Sequence, residues 1–512
     1  MSRSRHLVAL VLLSFFILPV IWALFHPGFF VSDDGEWMII RLTDFHRSLA
    51  DGQFPVRWLA RLNHEYGYPV INFLYPGFLY LGEVLHLLGF NFVNSIKIIF
   101  GLSFIFSGVF SYLWLTRIFG RFSAFIGAIF YVYAPYHLYD VYTRGSVGEA
   151  LALAIVPFCL WMAEKKNLPL LGLGYGLLII SHNTLALLFT PVLVAYILST
   201  HKSFLHAICH TLYAISLGLG LSSFFWIPAI FDLKYTVFRQ TLVVDWHSAF
   251  FTVGYFRLMD WPSVLVFFLC FFLLKKQDKK VLIFWLLFPI SFLLTLPLSK
   301  FIWEILPLNQ IIQFSFRFLF LTILAGSFLT AFLLSRCFYR LKVVMGVFLL
   351  GLLFTFSFPF IQPGKFFDKG EGFYTTNEGT TTVRDEYMTR WARIFPTERP
   401  KQKIEIIAGK AEIKDQFVNS RKITFRIEAG EESLVRINTL YFPGWQAQVD
   451  KQSVEINYEN EKGVIQIPVN QGDHEVMVKF GETPLRLFSD IISLLSFLFL
   501  AGLLIRSHFL KR

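Results

Sequence analysis

The chain has 512 residues, 55% hydrophobic and 18% aromatic, with a formal net charge of +11 at pH 7. Only 16% of the residues are charged, against about 25% in soluble domains, which is too few to cover a water-facing surface. The positive balance does not point to nucleic acid, because much of the Lys and Arg lies in short clusters between apolar runs, where such residues orient membrane helices.

A bilayer core about 30 Å thick needs about 20 apolar residues per helix. On that measure the sequence predicts about twelve spans: 6–25, 94–115, 122–139, 147–163, 168–182, 184–199, 207–231, 261–274, 281–298, 316–334, 342–360 and 486–505. The first run follows two arginines but lacks a small-x-small cleavage site, so it reads as an uncleaved anchor. The run 69–90 is broken by Pro69, Pro76 and Gly77 and reads as a juxtamembrane or re-entrant helix. With the N-terminus in the cytoplasm, seventeen loop cations fall inside and five fall in the shorter outside loops. Both termini are therefore expected inside, and the long first loop 26–93 and the polar stretch 361–485 outside.

Within 361–485 apolar and polar residues alternate at Ile404/Ile406, Ile423/Phe425/Ile427, Val435/Ile437, Ala447/Val449 and Val476/Val478/Phe480. A period of two marks half-buried strands. Glycine-bearing turns separate them at Ala429-Gly430, Phe442-Pro443-Gly444, Lys462-Gly463 and Gln471-Gly472-Asp473. The expected organisation is a helical membrane domain over 1–360, an extracytoplasmic β-sandwich-like domain over 361–485, and a final span with a cytoplasmic tail over 486–512. Cys159, Cys209, Cys270 and Cys337 lie in or beside the apolar runs, have no metal-ligand spacing, and read as packing residues.

The chemistry-bearing residues fall into two groups. The first loop opens Ser32-Asp33-Asp34-Gly35-Glu36-Trp37 and continues through Arg41. Three carboxylates within four residues suit proton abstraction from a hydroxyl or a divalent cation. Equally, Asp33 and Asp34 would cap a helix starting near Gly35. The second group comprises Arg144 and Glu149 between spans three and four, His182 and Asn183 at the outer end of span five, and Arg317 at the start of span ten. Ionisable groups at membrane depth usually face a cavity or a partner. The plainer alternative is an Arg144–Glu149 pair or snorkelling to the interface. All of these positions share one side with the first loop, a layout that predicts a single polar cavity. There is no phosphate-binding loop, nucleophile elbow, Rossmann fingerprint or Cys/His zinc pattern, and no evident inverted repeat of the transporter kind.

Asp34-Gly35-Glu36-Trp37 with Arg41, Asp51-Gly52-Gln53-Phe54-Pro55-Val56-Arg57-Trp58, Gly67-Tyr68-Pro69 and Phe73-Leu74-Tyr75-Pro76 resemble the bacterial membrane proteins labelled 6-pyruvoyl-tetrahydropterin synthase-related. Ser181-His182-Asn183 and Tyr441-Phe442-Pro443-Gly444-Trp445 are similar to that family and to the YfhO-like proteins. The label does not carry the pterin activity, since soluble pterin synthases need a zinc-binding histidine cluster and none is visible. The resemblance implies instead a GT-C-like architecture, as in polytopic glycosyltransferases of the cell envelope that use polyprenyl-phosphate-linked sugars. It implies that the first outer loop carries the catalytic acidic residue, with Asp34 the best match and Asp33 as its neighbour. Met38 departs from the pattern, standing where the family often has histidine four residues after the aspartate.

On this reading Asp34 is the general base of a bacterial inner-membrane glycosyltransferase, and Arg144 and Arg317 hold the donor phosphate, with Glu36, Arg41, Glu149, His182 and Asn183 around the substrates. The acceptor is an extracytoplasmic glycan or protein. The alternative is a non-catalytic lipid-saccharide transporter or envelope assembly scaffold.

Overall fold

The computed structural model describes residues 2–238, 246–250, 253–274, 278–379 and 385–509. Arg239, Lys275, Lys276, Lys511 and Arg512, which enter the orientation tally, lie outside the described residues. The chain is mostly helical, with a β-rich region near its C-terminus. Among the described residues eight helices are long and apolar enough to cross a membrane, or nine if a pair bent by 90° between Lys279–Leu293 and Pro297–Ile305 counts as one span. Pro297 at that bend cannot continue the preceding helix. Three of the expected spans form shorter apolar helices, Arg121–Tyr133, Leu168–Ser181 and Trp261–Phe271. The run after Pro76 is the eleven-residue helix Gly77–Leu87, about 16 Å long and too short to span.

The helices meet through small residues, as expected where lipid supplies no hydrophobic drive between them. Gly127 illustrates this: a Cβ there would lie 2.9 Å from the carbonyl of Ser327, whose hydroxyl donates to the Gly127 carbonyl at 2.8 Å. Helix Leu319–Arg336 is buried along almost its whole length and forms the centre of the bundle.

Outside the bundle, strand β1 (Phe29–Phe30) pairs antiparallel with β2 (Phe366–Phe367), tying the start of the first loop to the segment after the helix Tyr339–Ser357. The remaining strands occupy only 404–480. β3 (Ile404–Ala408), β6 (Ser433–Leu440) and β9 (Val464–Val469) form one sheet in the order β3-β6-β9. β4 (Ala411–Val418), β5 (Lys422–Ala429), β7 (Trp445–Val449), β8 (Gln452–Val454) and β10 (Gly472–Phe480) form a second, in the order β4-β5-β10-β7-β8. All pairings are antiparallel. In β5 Ile423, Phe425 and Ile427 point into the core while Arg426 and Glu428 face out, which is the expected alternation. Both sheets contribute to one apolar cluster, and Trp58, Tyr66 and Phe73 of the first loop belong to it too. The first loop thus packs into the sandwich while its helix, Gly35–Ala50, packs on the bundle.

Candidate functional site

The site is built on a turn between two helices. After Pro135–Tyr139 the backbone widens into a π-helical turn over Asp140–Arg144 and is released by Gly145, whose φ of +66° an L side chain adopts only with strain. Gly145 is also crowded, since a Cβ there would lie 2.6 Å from the Gly35 nitrogen. Carbonyls at the end of such a turn lack partners within the helix. Here the first loop supplies them: Asp34 N–H donates to the Arg144 carbonyl at 2.8 Å and Asp33 N–H to that of Thr143 at 3.0 Å.

Asp34 occupies the N-cap position of Gly35–Ala50, yet its side chain makes no capping hydrogen bond. Ser32 Oγ accepts from Gly35 N–H instead, at 3.2 Å. The Asp33 carboxyl is pushed up by partial burial and by Asp34 beside it, against the pull of Arg144.

Glu149 organises the floor. It lies in the first turn of helix Val147–Lys165, where the helix dipole favours a carboxylate, and it is fully buried. Its Oε1 meets Arg144 Nη1 at 2.7 Å, Arg317 Nε at 3.0 Å and His182 Nε2 at 3.5 Å, while its Oε2 accepts from the Tyr136 hydroxyl at 3.1 Å. Arg144 Nη1 also donates to Asp140 at 2.6 Å, and Arg317 Nη1 donates to the Ile312 carbonyl and Gln313. His182 Nδ1 accepts from the Leu185 N–H at 3.2 Å, so its proton sits on Nε2, toward Glu149. Buried charges are tolerable only when paired in this way.

The first-loop acids and this floor share one electrostatic environment. The hydroxyl of Tyr75, whose ring lies 4.7 Å from that of His182, is raised by burial, further raised by Asp34 and Glu149, and opposed by Arg317 and Arg144. Glu386 joins from the segment ahead of the sandwich: burial pushes its carboxyl up to about 7, with Arg41 and Arg317 opposing and Asp34 adding to the rise. The segment is seated by Tyr387, whose N–H donates to the Tyr68 hydroxyl at 3.0 Å and whose ring stacks on Phe73.

The structure therefore brings together Asp33, Asp34, Arg41, Arg144, Glu149, His182 and Arg317. It does not bring in Glu36, which pairs with Lys369, or Asn183, whose Oδ1 accepts from its neighbour Thr184. Glu36 lies on a different face of its helix from Arg41, and Asn183 turns out of the bundle from the first turn of its own. Glu386, Asp140 and Tyr136 escaped the sequence reading. Both Tyr136, inside the apolar run 122–139, and Asp140, just after it, carried a usable signal as polar groups. Among the described residues, no group of three or more His, Cys, Asp or Glu is arranged to hold a metal ion.

Spans, polar floor and β-region together define an integral membrane protein. The chain belongs to the family described as the 6-pyruvoyl-tetrahydropterin synthase related domain of membrane proteins, whose family model matches residues 74–361. No curated protein matches the sequence. Among solved structures, the chain is similar to the arabinofuranosyltransferase AftD from Mycobacteria, with 15% identity and a TM-score of 0.47 over 73% of this chain and 28% of that one. It is also similar to the Archaeoglobus fulgidus oligosaccharyltransferase tethered with an acceptor peptide, with 11% identity and a TM-score of 0.47 over 78% of this chain and 61% of that one. The chain thus spans less than a third of the first protein and about three fifths of the second.

Proposed function

We propose that the protein is a GT-C-like glycosyltransferase that moves a sugar from a polyprenyl-phosphate donor to an acceptor outside the cytoplasm. One observation carries this reading: a first-loop carboxylate, Asp34, is held by its own backbone against the turn that carries Arg144. Asp34 takes the proton of the acceptor hydroxyl as that oxygen attacks the anomeric carbon. The bond from sugar to phosphate oxygen breaks, and the polyprenyl phosphate leaves with the electron pair. Its growing charge is met by Arg144 and Arg317, which Glu149 holds in place beforehand. Among the described residues Nη2 of each guanidinium has no hydrogen bond, which leaves both arginines a donor for phosphate.

The membrane orientation is part of the proposal. Lys280 pairs with Glu164 and Arg336 with Asp278 at the end of the bundle away from the site, so the cation-rich end faces the cytoplasm of a bacterial inner membrane. The site and the sandwich then face outward, toward a glycan or protein acceptor.

A second reading draws on the same network: because Glu149 and Asp140 already neutralise two arginines, a transporter or assembly scaffold would also keep them. Reconstitution in proteoliposomes with radiolabelled polyprenyl-phosphate monosaccharides separates the two. Wild type should transfer or release sugar, and Asp34→Asn should lose about 10²–10⁴-fold in turnover while still binding donor. No turnover by wild type with any donor, or full turnover by the variant, would defeat the proposal.

A further inference from the structure

The joint between the first loop and the sandwich holds a cavity of about 260 Å³. That is the space of roughly eight or nine waters at about 30 Å³ each. Three cations line it: Arg61, Lys403 and, exposed at the rim, Arg47. Its other lining residues include Thr439 and Trp445. Among the described residues, Arg61 Nε, Thr439 Oγ1 and Trp445 Nε1 are buried without a hydrogen-bond partner, on residues only 7%, 2% and 5% exposed. Native interiors rarely leave buried donors unmet, so three on residues that line one cavity point to something that fills it. Lys403 Nζ donates to the Glu65 and Asn438 carbonyls at 2.6 and 2.9 Å and keeps a third N–H. Among the described residues the Glu65 carboxylate is the one acid on the lining, and it lies 3.9 Å from Arg399.

Arg61 Nη1 and Nη2 already donate to the Thr375 and Ile40 carbonyls and the Thr43 hydroxyl. We infer that this cavity binds a compact polar ligand bearing a carboxylate or a phosphate, which Lys403 pairs with and to which Arg61 Nε, Trp445 and Thr439 donate. Arg47 lies thirteen residues along the first-loop helix from Asp34, or about 20 Å at 1.5 Å per residue. The ligand therefore does not touch the groups assigned to sugar transfer, and the inference does not depend on that assignment.

Full-length protein in nanodiscs, titrated calorimetrically at fixed ionic strength with inorganic phosphate, glucuronate and glucose, tests it. Saturable binding of phosphate or glucuronate at least tenfold tighter than glucose is expected, and the tighter of the two anions identifies the source of the charge. Lys403→Gln should weaken that binding at least tenfold. Trp445→Phe keeps the ring, removes the donor and should weaken it a few-fold, which preserves the test if the lysine variant does not fold. Absence of saturable anion binding, equal binding of glucose, or unchanged affinity in a folded variant of either kind would overturn the inference.

Discussion

Two regions of this molecule use buried arginines, and they use them differently. At the joint of sandwich, first loop and last helix, Arg486 is fully buried, donates to Asp232 at 2.8 Å and to the Pro443 carbonyl at 2.8 Å, and lies over the rings of Phe442 and Phe480. Arg57 reaches Asp490, Glu482 and the Phe224 carbonyl. Each contact there joins two different elements, and the guanidinium acts as a staple. Around Glu149 the arginines are held just as firmly, but Asp33, Asp34 and Glu386 gather beside them on the first-loop side. Geometry alone does not separate a staple from a site. At the staple every acid named is an ion-pair partner of Arg57 or Arg486, whereas at the site Asp33, Asp34 and Glu386 come in addition to Glu149 and Asp140, which already hold the arginines.

The largest effect is expected at the staple. Arg486→Ala leaves the Asp232 carboxylate buried without its cation, which costs about 3–5 kcal/mol. Thermal unfolding in detergent should show the loss, and the fraction that remains folded should keep its turnover. Loss of turnover at unchanged stability would move Arg486 into the site.

Glu386 sharpens the comparison through pH. Burial raises its carboxyl from the 4.5 of an ordinary glutamate to about 7 in the folded chain. Between those values the folded state holds a proton that the unfolded state has released, so stability falls as pH rises from 4.5 to 7 and levels off above. Glu386→Gln should remove this slope and raise stability at pH 8 by roughly 1–3 kcal/mol relative to wild type. Parallel curves for the two proteins would show that Glu386 is solvated as usual. The smallest effect is expected for Asn183→Ala, since Asn183 is exposed and its Oδ1 accepts from the adjacent Thr184 N–H: within about 0.5 kcal/mol in stability, with unchanged turnover. A large loss of turnover would return Asn183 to the substrate.

How much could be read beforehand follows the same physics. Each of the twelve apolar runs has a helix, and the strands that alternate in sequence are strands in the fold. Two of the strands that went unread do not bury one face and expose the other. Ala411–Val418 is exposed along nearly its whole length, and Val464–Val469 is buried on both faces, with Pro468 as its one exposed residue. Arg144, Glu149, His182 and Arg317 were legible because a charge amid apolar residues is costly and needs a reason. Glu386 was not, because it lies in a stretch already rich in charge, where one more carboxylate carries no signal until Tyr387 is seen stacked on Phe73.

In the proposed mechanism the arginines around Glu149 receive the phosphate of a lipid-linked sugar. Cryo-electron microscopy of the protein in nanodiscs loaded with polyprenyl phosphate tests it most directly. Phosphate density is expected between Arg144 and Arg317, with oxygens about 2.7–2.9 Å from guanidinium nitrogens and Asp34 facing the open side. Phosphate bound instead at Arg57 or Arg486, with the Glu149 network unoccupied, would contradict it.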